Sequence, residues 1–137
     1  MKLDELKIDT DKLEKGDWVE NIPELEGLRL KVRGVNNKAY RKMERQLLET
    51  LPRSKRRYGR LNIEDQDRIT TQCLLNSCLD DWDGLFNDNG TAIPYTREMA
   101  QQLLTEPEYR RFRDAVLWAA NVVVEDQATD EDDIAKN

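Results

Sequence analysis

The sequence predicts an α+β fold, mostly α, with an N-terminal β-hairpin or meander packed on a bundle of about four helices. Three observations predict it. Leu28, Leu30 and Val32 alternate with Arg29, Lys31 and Arg33, the period-2 signature of a strand with one buried face. Later segments repeat apolar residues at helical spacing, and Pro, Gly and Asn punctuate the stretches between them. At 137 residues the chain is one domain by length. A domain of that size buries about 70% of the surface its unfolded chain exposes, so it needs no disulfide or metal staple.

Taken in order, residues 1–15 mix Leu3, Leu6, Ile8 and Leu13 with charges and do not choose between strand and helix. Asp17 to Ile22 is rich in strand formers, and the following PELEG carries a Pro and a Gly to turn the chain into the Leu28–Arg33 strand. The resulting hairpin, about 17–33, is marginal alone and must dock on the helical body, about 36–124. Gly34 ends the strand, and Asn36 or Asn37 can cap a helix whose Tyr40, Met43, Leu47, Leu48 and Leu51 form one face before Pro52 stops it. A second helix is expected from Ile63 to Asp80, with Glu64, Asp65 and Asp67 where the macrodipole favours carboxylates.

The connector from Trp82 to Thr96, WDGLFNDNGTAIPYT, holds a tight-turn signal at Asn89-Gly90, an extended Ile93-Pro94 and a cap at Thr96. Met99, Leu103 and Leu104 mark a short helix ending before Pro107, which opens the last helix. There Tyr109, Phe112, Ala115, Val116, Ala119, Ala120 and Val123 form one face, while Leu117, Trp118, Val122 and Val124 sit off it. A helix apolar nearly all round is either central or covered by a partner. Residues 1–124 are therefore read as the globular domain, and 125–137, acidic and poor in core formers, as a disordered tail.

Composition narrows function. Charged residues make up 36% of the chain and the net charge is −6, so phosphate backbones and anionic membranes are poor default partners. No apolar run is long enough to span a bilayer, and MKLDELKID has charges where a signal peptide needs an apolar stretch, which points to the cytoplasm. Histidine is absent, which removes Ser-His and Cys-His hydrolysis. Cys73 and Cys78, five apart on a helical pattern, face different ways and read as buried thiols.

Asp80, Asp81, Asp83 and Asp88 invite a calcium loop, but counting back from the position-6 Gly puts Leu79 or Leu85 at position 1, where an oxygen ligand is required. No phosphate-cradling Gly motif occurs, and adjacent carboxylates on a helix do not face each other. Neither a catalytic site, a cofactor nor a metal is expected, and the chain reads as a binding protein rather than an enzyme. Trp82, Leu85, Leu117, Trp118 and Val122 are the candidate partner-binding residues, Trp82 and Leu85 either filling the joint between two helices or meeting the partner. Arg53, Lys55, Arg56, Arg57 and Arg60 form one basic cluster that would serve a nucleic acid, though one basic stretch in an acidic chain gives few phosphate contacts and reads first as a solvated loop.

Several short motifs together carry a family resemblance: Gly16 to Trp18 (GxW), the strand Leu28 to Gly34 followed by Asn37 and Tyr40, Trp82 to Leu85 (WxGL), and Ile93 to Thr96 (IPYT). In this pattern the chain resembles the tail assembly chaperones of long-tailed bacteriophages. The resemblance implies a non-enzymatic protein that binds the tape-measure protein, keeps it soluble and helps recruit tail-tube subunits, acting in the host bacterial cytoplasm and absent from the mature virion. Oligomerisation is compatible with it. It further implies a longer frameshifted form in many members, with which a GCA-AAA-AAC coding of Ala135-Lys136-Asn137 is compatible. Two other readings are a structural head or neck adaptor of the phage and a small nucleic-acid-binding regulator using residues 53–60.

Overall fold

The computed structural model describes residues 1–56 and 61–125. Its elements are α1 (Thr10–Lys15), β1 (Asp17–Val19), β2 (Arg29–Val32), α2 (Lys38–Glu49), α3 (Arg53–Arg56), α4 (Ile63–Ser77), β3 (Leu79–Asp83), α5 (Arg97–Thr105) and α6 (Arg110–Val122), with short 3-10 turns at Leu3–Leu6 and Pro107–Tyr109. The fold is α+β and mostly α, as expected. The acidic segment beyond Glu125, and Arg57 and Arg60 of the basic cluster, lie outside the described residues.

The sheet is antiparallel with β2 in the centre, order β1-β2-β3. Val19 pairs with Leu30 and Leu30 with Trp82, and all three are buried, so one face of the sheet is apolar. That face packs on α6, while α2 lies on α4, and α5 joins α4 to α6. The third strand departs from the expected helix over Ile63–Asp80: α4 stops at Ser77, and Cys78 (φ −122°, ψ −60°) leaves helical geometry. A bulge in the β2–β3 pairing falls between Lys31 and Val32, where Lys31 faces Asp81 and Val32 faces Leu79. Asp80 is the extra residue, and the insertion lets Leu79 and Trp82, three apart, both face the core.

Among the described residues, four helices carry side-chain N-caps, from Asp9, Asn37, Asn62 and Thr96. Asn37 takes the cap while Asn36 adopts a positive φ of 68° in the turn before it. Asn37 also leaves the local frame: its buried amide Nδ2 donates to the Gly34 carbonyl at 2.8 Å and to the Ser77 carbonyl at 2.7 Å, fastening the start of α2 to the end of α4. Of the expected α2 face only Tyr40 is buried within the helix; Met43, Leu47 and Leu48 are partly covered, because α4 is the one long helix against which α2 packs extensively.

Cys73 and Cys78 are free, buried thiols whose pKa burial pushes up to about 12 in each case. A thiol held neutral and out of reach is not a nucleophile. The native protein at pH 8 is therefore expected to react with Ellman's reagent at least about 100-fold more slowly than the urea-unfolded chain. Equal rates would place the thiols at the surface.

Candidate functional site

Trp82 comes from the buried face of β3 and is only 5% exposed, so it fills a joint rather than offering a contact surface. Its indole N–H donates to the Ile93 carbonyl at 2.8 Å. Its ring meets Tyr95 edge-on at 5.0 Å between centroids and Phe112 at 5.7 Å. After Asp83 the chain turns at Gly84 (φ +80°), where a Cβ would collide with the Gly27 carbonyl oxygen, so glycine is needed for the two loops to touch. Leu85 then pairs back on the far arm of the connector, accepting from the Ile93 amide at 2.8 Å, while Phe86 bridges to Ala92. Asn89-Gly90 makes the tight turn between these arms, with Gly90 at φ +86°.

This small hairpin is one wall of a trough of about 630 Å³. Leu28, Leu103 and Phe112 form its floor, and Leu25, Leu85, Ile93 and Met99 are half-buried in its sides. Phe86 and Tyr109 stand at its edge, 59% and 37% exposed. The trough continues along α6. A second depression shares Leu25 and Arg111 with it and adds Pro23 and Trp118; a third shares Trp118 and adds Trp18 and Val122. Between Tyr109 and Val122 a helix rises about 20 Å, long enough to accompany several turns of another helix.

The structure thus separates the five candidate partner residues. Leu85 lines the main trough, and Trp118 and Val122 line its continuation. Trp82 lies beneath, and Leu117 packs partly buried against the core and lines none of the three depressions. Sequence spacing missed Phe86, which no periodic pattern includes, and placed Tyr109 on the buried face although it stands at the rim. It also missed Arg113, a buried guanidinium on α6 whose Nε donates to Thr71 Oγ1 at 2.8 Å and which pairs with Asp67 at 3.5 Å, locking α6 to α4.

Part of each charged cluster is paired within the fold. Asp80 pairs with Arg33 and Asp83 with Arg29, each at 3.5 Å, and burial holds the Asp80 carboxyl above its usual pKa despite the guanidinium beside it. Lys55 pairs with Asp65 at 3.5 Å, and Arg56 is half-buried beside Leu48, Leu61 and Ile69, so of the described basic residues Arg53 is the most available to a phosphate. Among the described residues no group of three or more His, Cys, Asp or Glu is placed to hold a metal ion, and no helix is long and apolar enough to cross a membrane.

Comparison with curated proteins and with solved structures finds no match. The family model of the YdaY prophage protein matches residues 35–137, which takes in the turn before α2, the whole helical body and β3 with its connector. With three quarters of its length matched, and with Trp82, Leu85 and the trough wall inside the matched segment, this chain belongs to the YdaY prophage protein family and is a phage-related protein.

Proposed function

We propose that this protein is a non-enzymatic tail assembly chaperone, which holds the tape-measure protein soluble in the host cytoplasm, helps recruit tail-tube subunits and leaves before the virion is mature. One observation carries the reading. The two connector motifs behind the resemblance, WxGL at Trp82–Leu85 and IPYT at Ile93–Thr96, are a single unit in three dimensions, joined by the Trp82–Ile93 and Ile93–Leu85 hydrogen bonds and the Trp82–Tyr95 ring contact. Leu85 and Ile93 from that unit line the apolar trough. The residues that mark the resemblance therefore build a surface suited to an amphipathic helix, the form expected of a long tape-measure protein.

Burying a large apolar side chain contributes roughly 1.5 to 3 kcal/mol, so a few such contacts suffice for a reversible complex. Co-expression with the tape-measure protein of the same prophage is expected to give a soluble complex on size exclusion. Changing Phe86 and Tyr109 together to Asp, at exposed positions, should leave the fold intact and cost at least about 10-fold in affinity. No complex with the intact chain would overturn the reading. Stoichiometric recovery of the protein from purified virions would replace it with the structural adaptor.

A further inference from the structure

We propose that the trough is specific for an amphipathic helix whose apolar stripe is flanked by lysine and arginine; this rests on the chaperone reading only for which protein supplies that helix. The rim is the reason. Glu26, Asp88 and Glu108 line the main trough, Glu24 the middle depression, and Glu20 and Glu125 the far one. All six are exposed, and none has a cation within ion-pair distance among the described residues.

Other charges along the same path are already spoken for. Asp114 pairs with Arg110 and Arg113, and Asp17 with Lys12. Arg29 pairs with Asp83 and lies 4.8 Å over the Trp18 ring. Arg111 is the one lining cation without a carboxylate partner among the described residues. A low-dielectric floor edged by carboxylates of one sign focuses negative potential, which attracts basic flanks and repels acidic ones. The exposed edges of Tyr109 and Trp118 add aromatic faces on which a lysine or arginine can rest.

Charge also argues against the two nearest alternatives. The chain's own residues 126–137 carry five carboxylates and one lysine, so the acidic rim repels them. A second copy would offer Lys38, Arg41, Lys42 and Arg45, the exposed basic stripe of α2, but the helix buries Tyr40 in its own core and has no free apolar stripe to seat.

The test uses two fluorescein-labelled helical peptides of about 18 residues, identical in a leucine stripe at i, i+3, i+4 and i+7 and differing only in lysine or glutamate flanks. Anisotropy with the full chain is expected to show the lysine peptide binding at least about 10-fold more tightly in 50 mM salt, a preference shrinking below about 2-fold in 500 mM. The triple variant Glu24→Lys, Glu26→Lys, Glu108→Lys should reverse the preference, with circular dichroism confirming that it folds. Equal binding of the two peptides, or binding of neither, overturns the proposal. So does a dimer of the chain that excludes the peptide and is lost in the triple variant, which would make a second copy the occupant. Charge-selective peptide binding without a tape-measure complex leaves this proposal standing and removes the chaperone reading; a tape-measure complex indifferent to the charge reversal does the opposite.

Discussion

Trp82→Ala is expected to lower the unfolding free energy by about 3 to 5 kcal/mol, read as a shift of the urea midpoint followed by circular dichroism. The substitution deletes a buried indole that faces Leu30 across the sheet and meets Tyr95 and Phe112 edge-on. It also orphans the Ile93 carbonyl, which accepts from the indole N–H. That loss is a large share of the 5 to 15 kcal/mol typical of a domain, so a substantial unfolded fraction is expected at 37 °C. Trp82→Phe keeps an aromatic ring but removes the N–H, and is expected to cost about 1 to 3 kcal/mol, leaving a folded protein with the trough wall loosened. A wild-type midpoint for Trp82→Ala would show that the joint does not depend on this ring.

Asn37→Ala is the second large effect, about 2 to 5 kcal/mol by the same measurement. The side chain caps α2 by accepting from the Tyr40 amide at 2.8 Å, a role worth about 0.5 to 2 kcal/mol. Its Nδ2 uses both hydrogens on the Gly34 and Ser77 carbonyls; the Gly34 carbonyl still accepts from the residue 37 backbone N–H at 3.2 Å, but the buried Ser77 carbonyl loses its side-chain donor, at a cost of roughly 1 to 3 kcal/mol. Asn37→Asp separates the two parts. It retains the cap acceptor but sets a carboxylate against two carbonyl oxygens, which raises its folded-state pKa above the unfolded one. Its stability is then expected to be highest below the unfolded carboxylate pKa and to fall as pH rises through the folded value. A variant whose stability relative to wild type does not change with pH would place the carboxylate in solvent.

How much of this was legible in the sequence depended on whether the signal was local. The limits of α5 follow from Thr96 before it and Pro107 after it, whose effects act within one helical turn, and Pro107 opens the 3-10 turn that leads into α6. The cap at Asn37 was legible for the same reason, but its bonds across to Ser77 were not, because they join residues 40 apart. The strand β3 was hidden by its own bulge. Leu79 follows Leu75 and Cys78 at helical spacing, and with Asp80 inserted the inward residues Leu79 and Trp82 show no period of two, so the expected helix ran on to Asp80 and Trp82 fell to the connector. The candidate surface was legible only in part: periodicity found Trp118 and Val122 as off-stripe residues, and Leu85 stood out in the WxGL motif. Phe86 belongs to no period, and its exposure is set by the short hairpin that pairs it with Ala92.

The order of the strands bears on how the chain is made. β2 is complete by residue 32, but its partner β3 begins at residue 79, and α6, which covers the apolar face of the sheet, ends at residue 122. As the polypeptide leaves the ribosome, β1 and β2 emerge with one edge unpaired and Leu30 and Val32 uncovered until β3 and α6 have been synthesised. The closing contacts are made at the end of α6 and just after it: Val35 donates to the Ala120 carbonyl and Asp9 to that of Val124. Folding therefore completes after translation of α6, and a chain stalled before that helix would present an open strand edge and a bare apolar face to solvent.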